Sequence, residues 1–207
     1  MHERAAAGTR APEEALRALL DGNQRWVDGR PERVQRSAEL RSTLAAGQDP
    51  MATVFTCIDS RVAPEIVFDC RIGDLAVIRT GAHALDEEIV LGSLEFATGI
   101  LETPLLLVMG HESCGAVLGA VQAIAEDRPA PQAIQTIVDA LRPAYESVSP
   151  GAANHGQLVD LMVREHTRLT ARRLAARPTI SALIAQGRLL VRAGVYGLDT
   201  GRVTLVD

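Results

Sequence analysis

The donors with the most chemistry in them fall in two short stretches. One reads Cys57-Ile58-Asp59-Ser60-Arg61, the other Gly110-His111-Glu112-Ser113-Cys114-Gly115. Cys57, His111 and Cys114 make a Cys2His set, the donor type zinc prefers, and thiolates exclude Mg2+ and Ca2+. Three protein ligands leave a fourth tetrahedral position open, the arrangement of a catalytic rather than a structural zinc. A cysteine ending a strand serves packing as readily as metal binding. His-x-x-Cys and Cys-x-Asp are each weak signals, so spacing alone leaves both readings open.

Something must bring the two stretches together, and the pattern of elements supplies it. Segments 52–58 (ATVFTCI), 75–80 (LAVIRT) and 104–109 (PLLLVM) are short apolar runs that read as buried strands. Helical stretches are predicted over 64–70, 86–102, 114–126, 131–142, 156–176 and 178–187, with a loop at 143–155. The alternation predicts an α/β fold: a mostly parallel central sheet of four to five strands flanked by helices. Residues 189–206 read as two strands around Asp199-Thr200-Gly201, an antiparallel hairpin at the sheet edge. At the front, 12–28 opens with Pro12 and two acids and sets Ala15, Leu16, Leu19 and Leu20 on one helical face. A second helix fits 37–46, before Gly47. The expectation is one domain over 1–207, with a helical arm at 1–46 and a sheet core at 52–206. In open α/β sheets ligands lie outside the carboxyl ends of the strands, and both donor stretches follow strands.

Composition narrows the function. The chain has 207 residues and a net charge of −5, and its 21 basic residues are all arginine. Schiff-base chemistry on lysine and a P-loop lysine are excluded, and the absence of a basic stripe speaks against nucleic acid. Three cysteines make no disulfide framework. The opening MHERAAAGTRAPEE has no apolar signal core, and no run is long enough to span a membrane. A cytoplasmic protein without membrane partners is expected.

Taken together, the two donor stretches resemble the β-class carbonic anhydrases. The resemblance extends to R-I-G-D-L-A-V-I-R-T at 71–80, S-L-E-F-A at 93–97 and L-L-D-G-N-Q-R-W at 19–26, covers nearly the whole chain, and is closest in look to the actinobacterial branch. It implies one zinc per chain on Cys57, His111 and Cys114, and reversible hydration of CO2 to bicarbonate and a proton by zinc-bound hydroxide. It implies that Asp59 pairs with Arg61, and that in some members this aspartate swings onto the metal as a fourth ligand. Gln48 would contact substrate from a neighbouring subunit, and the Gly115 backbone would lie beside it. Dimers or tetramers are implied, with the N-terminal helix around Trp26 reaching across. A zinc held by two thiolates and an imidazole is formally neutral and should acidify its water less than a three-His zinc. Asp59 would accept a hydrogen bond from the nucleophile, kept ionised by a charge-assisted pair with Arg61.

There are departures. Where the family often has R-N-x-x-N, residues 79–83 read R-T-G-A-H, with His83 in the last polar position. Val54 stands where the bicarbonate-inhibited subgroup has tryptophan, although Arg79 and Tyr196 match its other two residues. Without the indole that regulatory site is not expected.

The other groups have blander readings. Cys70 is expected as inert core in helix 64–70. His83 is a proton shuttle or a hydrogen-bonded structural residue. His155 and His166 are expected to be solvated, as are Arg168, Arg172 and Arg173, and His2 lies in a tail. Gly197–Gly201 reads as a turn, and Asp69 and Asp74 as caps. Competing functions are the same site acting on COS or CS2, and a non-catalytic zinc-stabilised interaction module, which would need a fourth Cys or His.

Overall fold

The computed structural model describes residues 10–32, 38–85 and 88–206, so His2 falls outside. Strand β1 (Ala52–Cys57) is buried along its whole length. It lies between β2 (Leu75–Thr80) and β3 (Leu105–His111), and β4 (Leu190–Tyr196) and β5 (Val203–Leu205) follow outward in the order β2-β1-β3-β4-β5. The first four strands are parallel and β5 returns antiparallel to β4, which is the expected sheet with its edge hairpin.

Alternation along the strands divides the core in two. Phe55, Leu106, Val108, Ala193 and Val195 point to one face, together with Cys57. That face is covered by α5 (Gly115–Ala125), α6 (Ile134–Val148) and α7 (His155–Ala175). Ala52, Val54, Leu105, Leu107 and Met109 point to the other, against α1 (Pro12–Val27) and α3 (Pro64–Val67). Smaller helices α2 (Ala38–Leu44), α4 (Ile89–Glu95) and α8 (Pro178–Ala185) complete the layers.

Helix α1 is docked on its own sheet. Gly22 lets it pass against the Phe68 carbonyl, where a Cβ would collide. Asn23 is buried, donating to the Val67 and Gly201 carbonyls and accepting from the Val203 amide. Arg25 pairs with Asp69 at 2.6 Å, and the Trp26 indole donates to the Tyr196 hydroxyl at 3.3 Å. G-N-Q-R-W, at the end of the helix expected to reach across at Trp26, makes these contacts within its own chain. Helix α2, by contrast, has no buried residue.

Other boundaries differ for physical reasons. Helix α6 does not stop at 142 but runs through Pro143 to Val148. A mid-helix proline costs about 3 kcal/mol, but Leu141 and Ala144 beside it are fully buried, and burying a leucine alone returns about 1.5–3 kcal/mol. The stretch at 86–102 is not one α-helix: after Glu95 it widens into a π-turn over Phe96–Ile100. Helix α3 is only four residues, because Asp69 takes a left-handed φ of 46° and turns the chain. Cys70 thus lies beyond the helix, though buried as expected, with its sulfur donating to the Phe68 carbonyl.

Candidate metal centre

Parallel pairing levels the ends of β1 and β3: Thr56 sits opposite Met109, so Cys57 and His111 finish their strands side by side. After His111 the chain turns through Ser113, at a φ of 53°, and returns Cys114 as the residue capping α5. The three ligand atoms lie within 4.8 Å of one another, and all three residues are buried. The sulfurs are 4.0 Å apart. A tetrahedral zinc with Zn–S bonds of about 2.3 Å separates its sulfurs by about 3.8 Å, so the spacing fits.

The imidazole is oriented for the same purpose. His111 Nδ1 lies 2.9 Å from the Glu112 carbonyl, which requires the proton on Nδ1. Nε2 is left as a buried lone pair with no hydrogen-bond partner, and an orphaned acceptor facing two converging thiols is a ligand position. The Cys57 thiol is held low, first by its hydrogen bond with Cys114, against the opposing cost of burial. The same bond and burial push Cys114 up. The pair gives up one proton readily and the second only to a partner of opposite charge, such as a dication. Among the described residues no fourth Cys, His, Asp or Glu completes this cluster, so the closed coordination a structural module needs is missing.

Asp59 stands at the open side. Its Oδ1 accepts from Arg61 Nε and from the Arg61 amide, each at 2.9 Å, and its Oδ2 accepts from Arg61 Nη2 at 2.7 Å. Oδ2 is also 3.9 Å from His111 Nε2. Arg61 holds the carboxyl well below the usual carboxylate range. The sequence motif C-I-D-S-R thus supplies one candidate ligand and one preset ion pair.

Two residues anchor this arrangement that the sequence did not single out for it. Arg79, on β2, donates to the carbonyls of Cys57 and Asp59 at 2.8 and 2.7 Å and clamps the loop. The Ala82 amide donates to Cys57 Sγ at 3.3 Å. The strand register, with Arg79 opposite Thr56, makes the first contact possible. No linear motif encodes it.

The remaining expected residues fall as follows. Gly115 opens α5 next to Cys114, and a Cβ there would meet nothing within 4 Å. Gln48 lies exposed on the loop before β1, at the opposite end of that strand from Cys57. The structure does not bring it to its own chain's site. Val54 is buried on the α1 side of the sheet. His83 is buried and within 3.3 Å of the Thr167 hydroxyl.

Three expectations are corrected. His166 is buried at 3% exposure, stacked on His83, because its face of α7 turns inward with Met162, Val163 and Thr170. His155 is exposed as expected. Arg168 is half-buried and paired with Glu165 at 2.7 Å, whereas Arg172 and Arg173 are solvated. Asp69 is no simple cap but the buried partner of Arg25, which ties α1 to the sheet. Asp74 does accept from the Arg71 amide across its turn, and Gly197 to Gly201 closes a turn as expected.

At its carboxyl end the mostly parallel sheet carries a Cys2His cluster with an Asp–Arg pair beside it. Residues 52–203 match the family model described as carbonic anhydrase. The chain is 42% identical over 197 residues to carbonic anhydrase 2 of Mycobacterium tuberculosis, covering 95% of this chain and 93% of that protein. It is 39% identical over 195 residues to carbonic anhydrase of Mycolicibacterium smegmatis, covering 94% and 93%. Among solved structures, a tetrameric β-carbonic anhydrase of Sordaria macrospora superposes with a TM-score of 0.76 at 21% identity, covering 92% of this chain and 96% of that one. The chain belongs to the β-class carbonic anhydrase family and is an enzyme of that family, whose general reaction is the hydration of CO2.

Proposed function

We propose that this enzyme catalyses the zinc-dependent, reversible hydration of CO2 to bicarbonate and a proton, with one zinc per chain held by Cys57, His111 and Cys114. The observation that carries the reading is the buried, unpartnered Nε2 of His111 facing two thiols whose separation suits tetrahedral zinc. When bound, zinc lowers the pKa of a water so that hydroxide is available as nucleophile near neutral pH.

The chain's own residues do the rest. Asp59 stays ionised and presents Oδ2 toward the open position, where it accepts the nucleophile's O–H and aims the lone pair at carbon. Arg61 fixes that carboxylate with three hydrogen bonds and keeps it from turning onto the metal. Gly115 leaves room beside Cys114, and the amino end of α5 favours the anionic product. Gln48, exposed at the far end of β1, serves the site of a neighbouring subunit, which makes a dimer or tetramer the working form. Thiols at Cys57 and Cys114 suit the reducing cytoplasm as its location.

The test is a stopped-flow CO2 hydration assay with metal analysis on the same sample. Activity should track zinc content up to about one zinc per chain. Zinc-loaded protein that does not hydrate CO2, or full activity without zinc, overturns the proposal.

A further inference from the structure

Beside the metal centre, between α7 and the single 3-10 turn Gly81–His83, lies a buried polar cluster that the proposed reaction does not use. Its members are His83, His166 and Thr167. Ala82 and His83 both take left-handed backbone conformations, with φ of 50° and 45°, although neither is glycine. Such strain persists only where the surroundings over-determine it.

The cluster supplies those surroundings. The Thr167 hydroxyl gives its one proton to the Val163 carbonyl at 2.7 Å. Toward His83 Nε2, 3.3 Å away, it can then only accept, which puts the His83 proton on Nε2. The His166 ring packs on His83 with centroids 4.6 Å apart, and its Nε2 is buried with no hydrogen-bond partner. Phe55 closes the edge of the His83 ring. Gly110, the residue before His111, faces the same group, and a Cβ there would run into the Thr167 hydroxyl. Helix α7 therefore grips His83, the residue after Ala82, through Thr167 and His166. What the turn delivers is one N–H, from Ala82 to Cys57 Sγ. His83 and His166 are 2% and 3% exposed, too deep to hand protons to solvent.

We propose that His83 and His166, braced by Thr167, are positioning residues for the metal centre, holding the Gly81–His83 turn so that the Ala82 amide donates to the Cys57 sulfur. That hydrogen bond draws charge off the thiolate. It makes Cys57 harder to protonate and leaves more positive charge on the metal, opposing the electron donation of two sulfurs. The inference rests on Cys57 being a zinc ligand.

The test compares Thr167→Val and His166→Ala, which remove the grip, with Thr167→Ser and His166→Phe, which keep a hydroxyl acceptor and a ring against His83. Two readouts are taken: zinc affinity by chelator competition, and the thiolate-to-cobalt charge-transfer band of the cobalt-substituted protein. Val and Ala should weaken zinc about 10–100-fold and shift the band, and Ser and Phe should recover most of both. A role in packing alone lowers the melting temperature and leaves the band in place. An unmoved band with wild-type affinity in folded Val and Ala variants overturns the proposal. Should those variants fail to fold, NMR of wild-type protein loaded with a magnetic cadmium isotope decides: a metal coupling to the Ala82 amide proton supports the bond, and its absence overturns it. Wild-type protein that takes up no metal overturns the ligand assignment instead, a separate outcome.

Discussion

Arg61 grips Asp59 with both prongs of its guanidinium, Nε to Oδ1 at 2.9 Å and Nη2 to Oδ2 at 2.7 Å, while the same Oδ2 sits only 3.9 Å from His111 Nε2. Asp59 is therefore within a short side-chain rotation of a second partner. In the proposed reaction the arginine selects between a carboxylate that orients the nucleophile and one that displaces it. Arg79 fixes the backbone from which that rotation would start.

Replacing Arg61 should expose this choice. Arg61→Ala frees Asp59 to bind the metal, and CO2 hydration is expected to fall about 100-fold, the scale of a misplaced catalytic group. Zinc content should stay near wild type, since no ligand is touched. Stopped-flow rates on metal-analysed protein check both, and an unchanged rate contradicts the grip.

Activity should rise with pH, and Asp59 is not the group responsible. Its folded-state pKa is depressed, first by the Arg61 hydrogen bond. The stability it contributes is present above its unfolded value, about 3.9, and is lost as pH falls through the lower folded value. Through the neutral range it stays ionised. The rise between roughly pH 6.5 and 9 then reports the water on a thiolate-ligated zinc, with a midpoint above the value of about 7 for a three-His site. Asp59→Asn should keep the rise, since the zinc water is still the titrating group, and lower the plateau, because the aiming acceptor is weakened. A flat wild-type profile would sink this account.

Metal content separates ligands from bystanders. Cys57→Ser and His111→Ala should each lose most of the bound zinc, whereas Cys70→Ala should retain it, since the Cys70 sulfur is directed at the Phe68 carbonyl. Elemental analysis after dialysis is sufficient, and full retention in the first two variants contradicts the ligand set.

Asn23 should matter for stability without touching chemistry. Its side chain makes three hydrogen bonds, to Val67, Gly201 and Val203, in a buried position. Asn23→Ala leaves those backbone groups unpaired, and a loss of about 2–4 kcal/mol is expected in denaturant unfolding. Zinc binding by the folded fraction should be unchanged.

Gln48 offers a test of assembly. If it serves a neighbour, Gln48→Ala and Cys57→Ser subunits are each nearly inactive alone but complement when mixed and reassembled. In the hybrid, the intact metal set of one chain receives Gln48 from the other. For random dimers roughly a quarter of wild-type activity should return. No recovery in demonstrated hybrids would place Gln48 outside the site.

Much of this site was readable because its chemistry is local. Cys57-x-Asp59-x-Arg61 and His111-x-x-Cys114 are donor types set at strand ends, and alternating apolar runs already imply a sheet that levels such ends. What tertiary structure alone decided is the partner of each side chain. Arg79 finds its partners only when the register sets it beside Thr56, within reach of the Cys57 and Asp59 carbonyls. His166 sits among Arg164, Glu165 and Arg168 in sequence, yet the rotation of α7 that buries Met162, Val163 and Thr170 carries it inward too. Pro143 signals a break, but the burial of its neighbours holds α6 together through it. Asp69 and Arg25 meet only because α1 folds back onto its own sheet. Residue type sets what a group can bind. Strand register and helix rotation, fixed by burial of whole faces rather than by any one residue, set what it does bind.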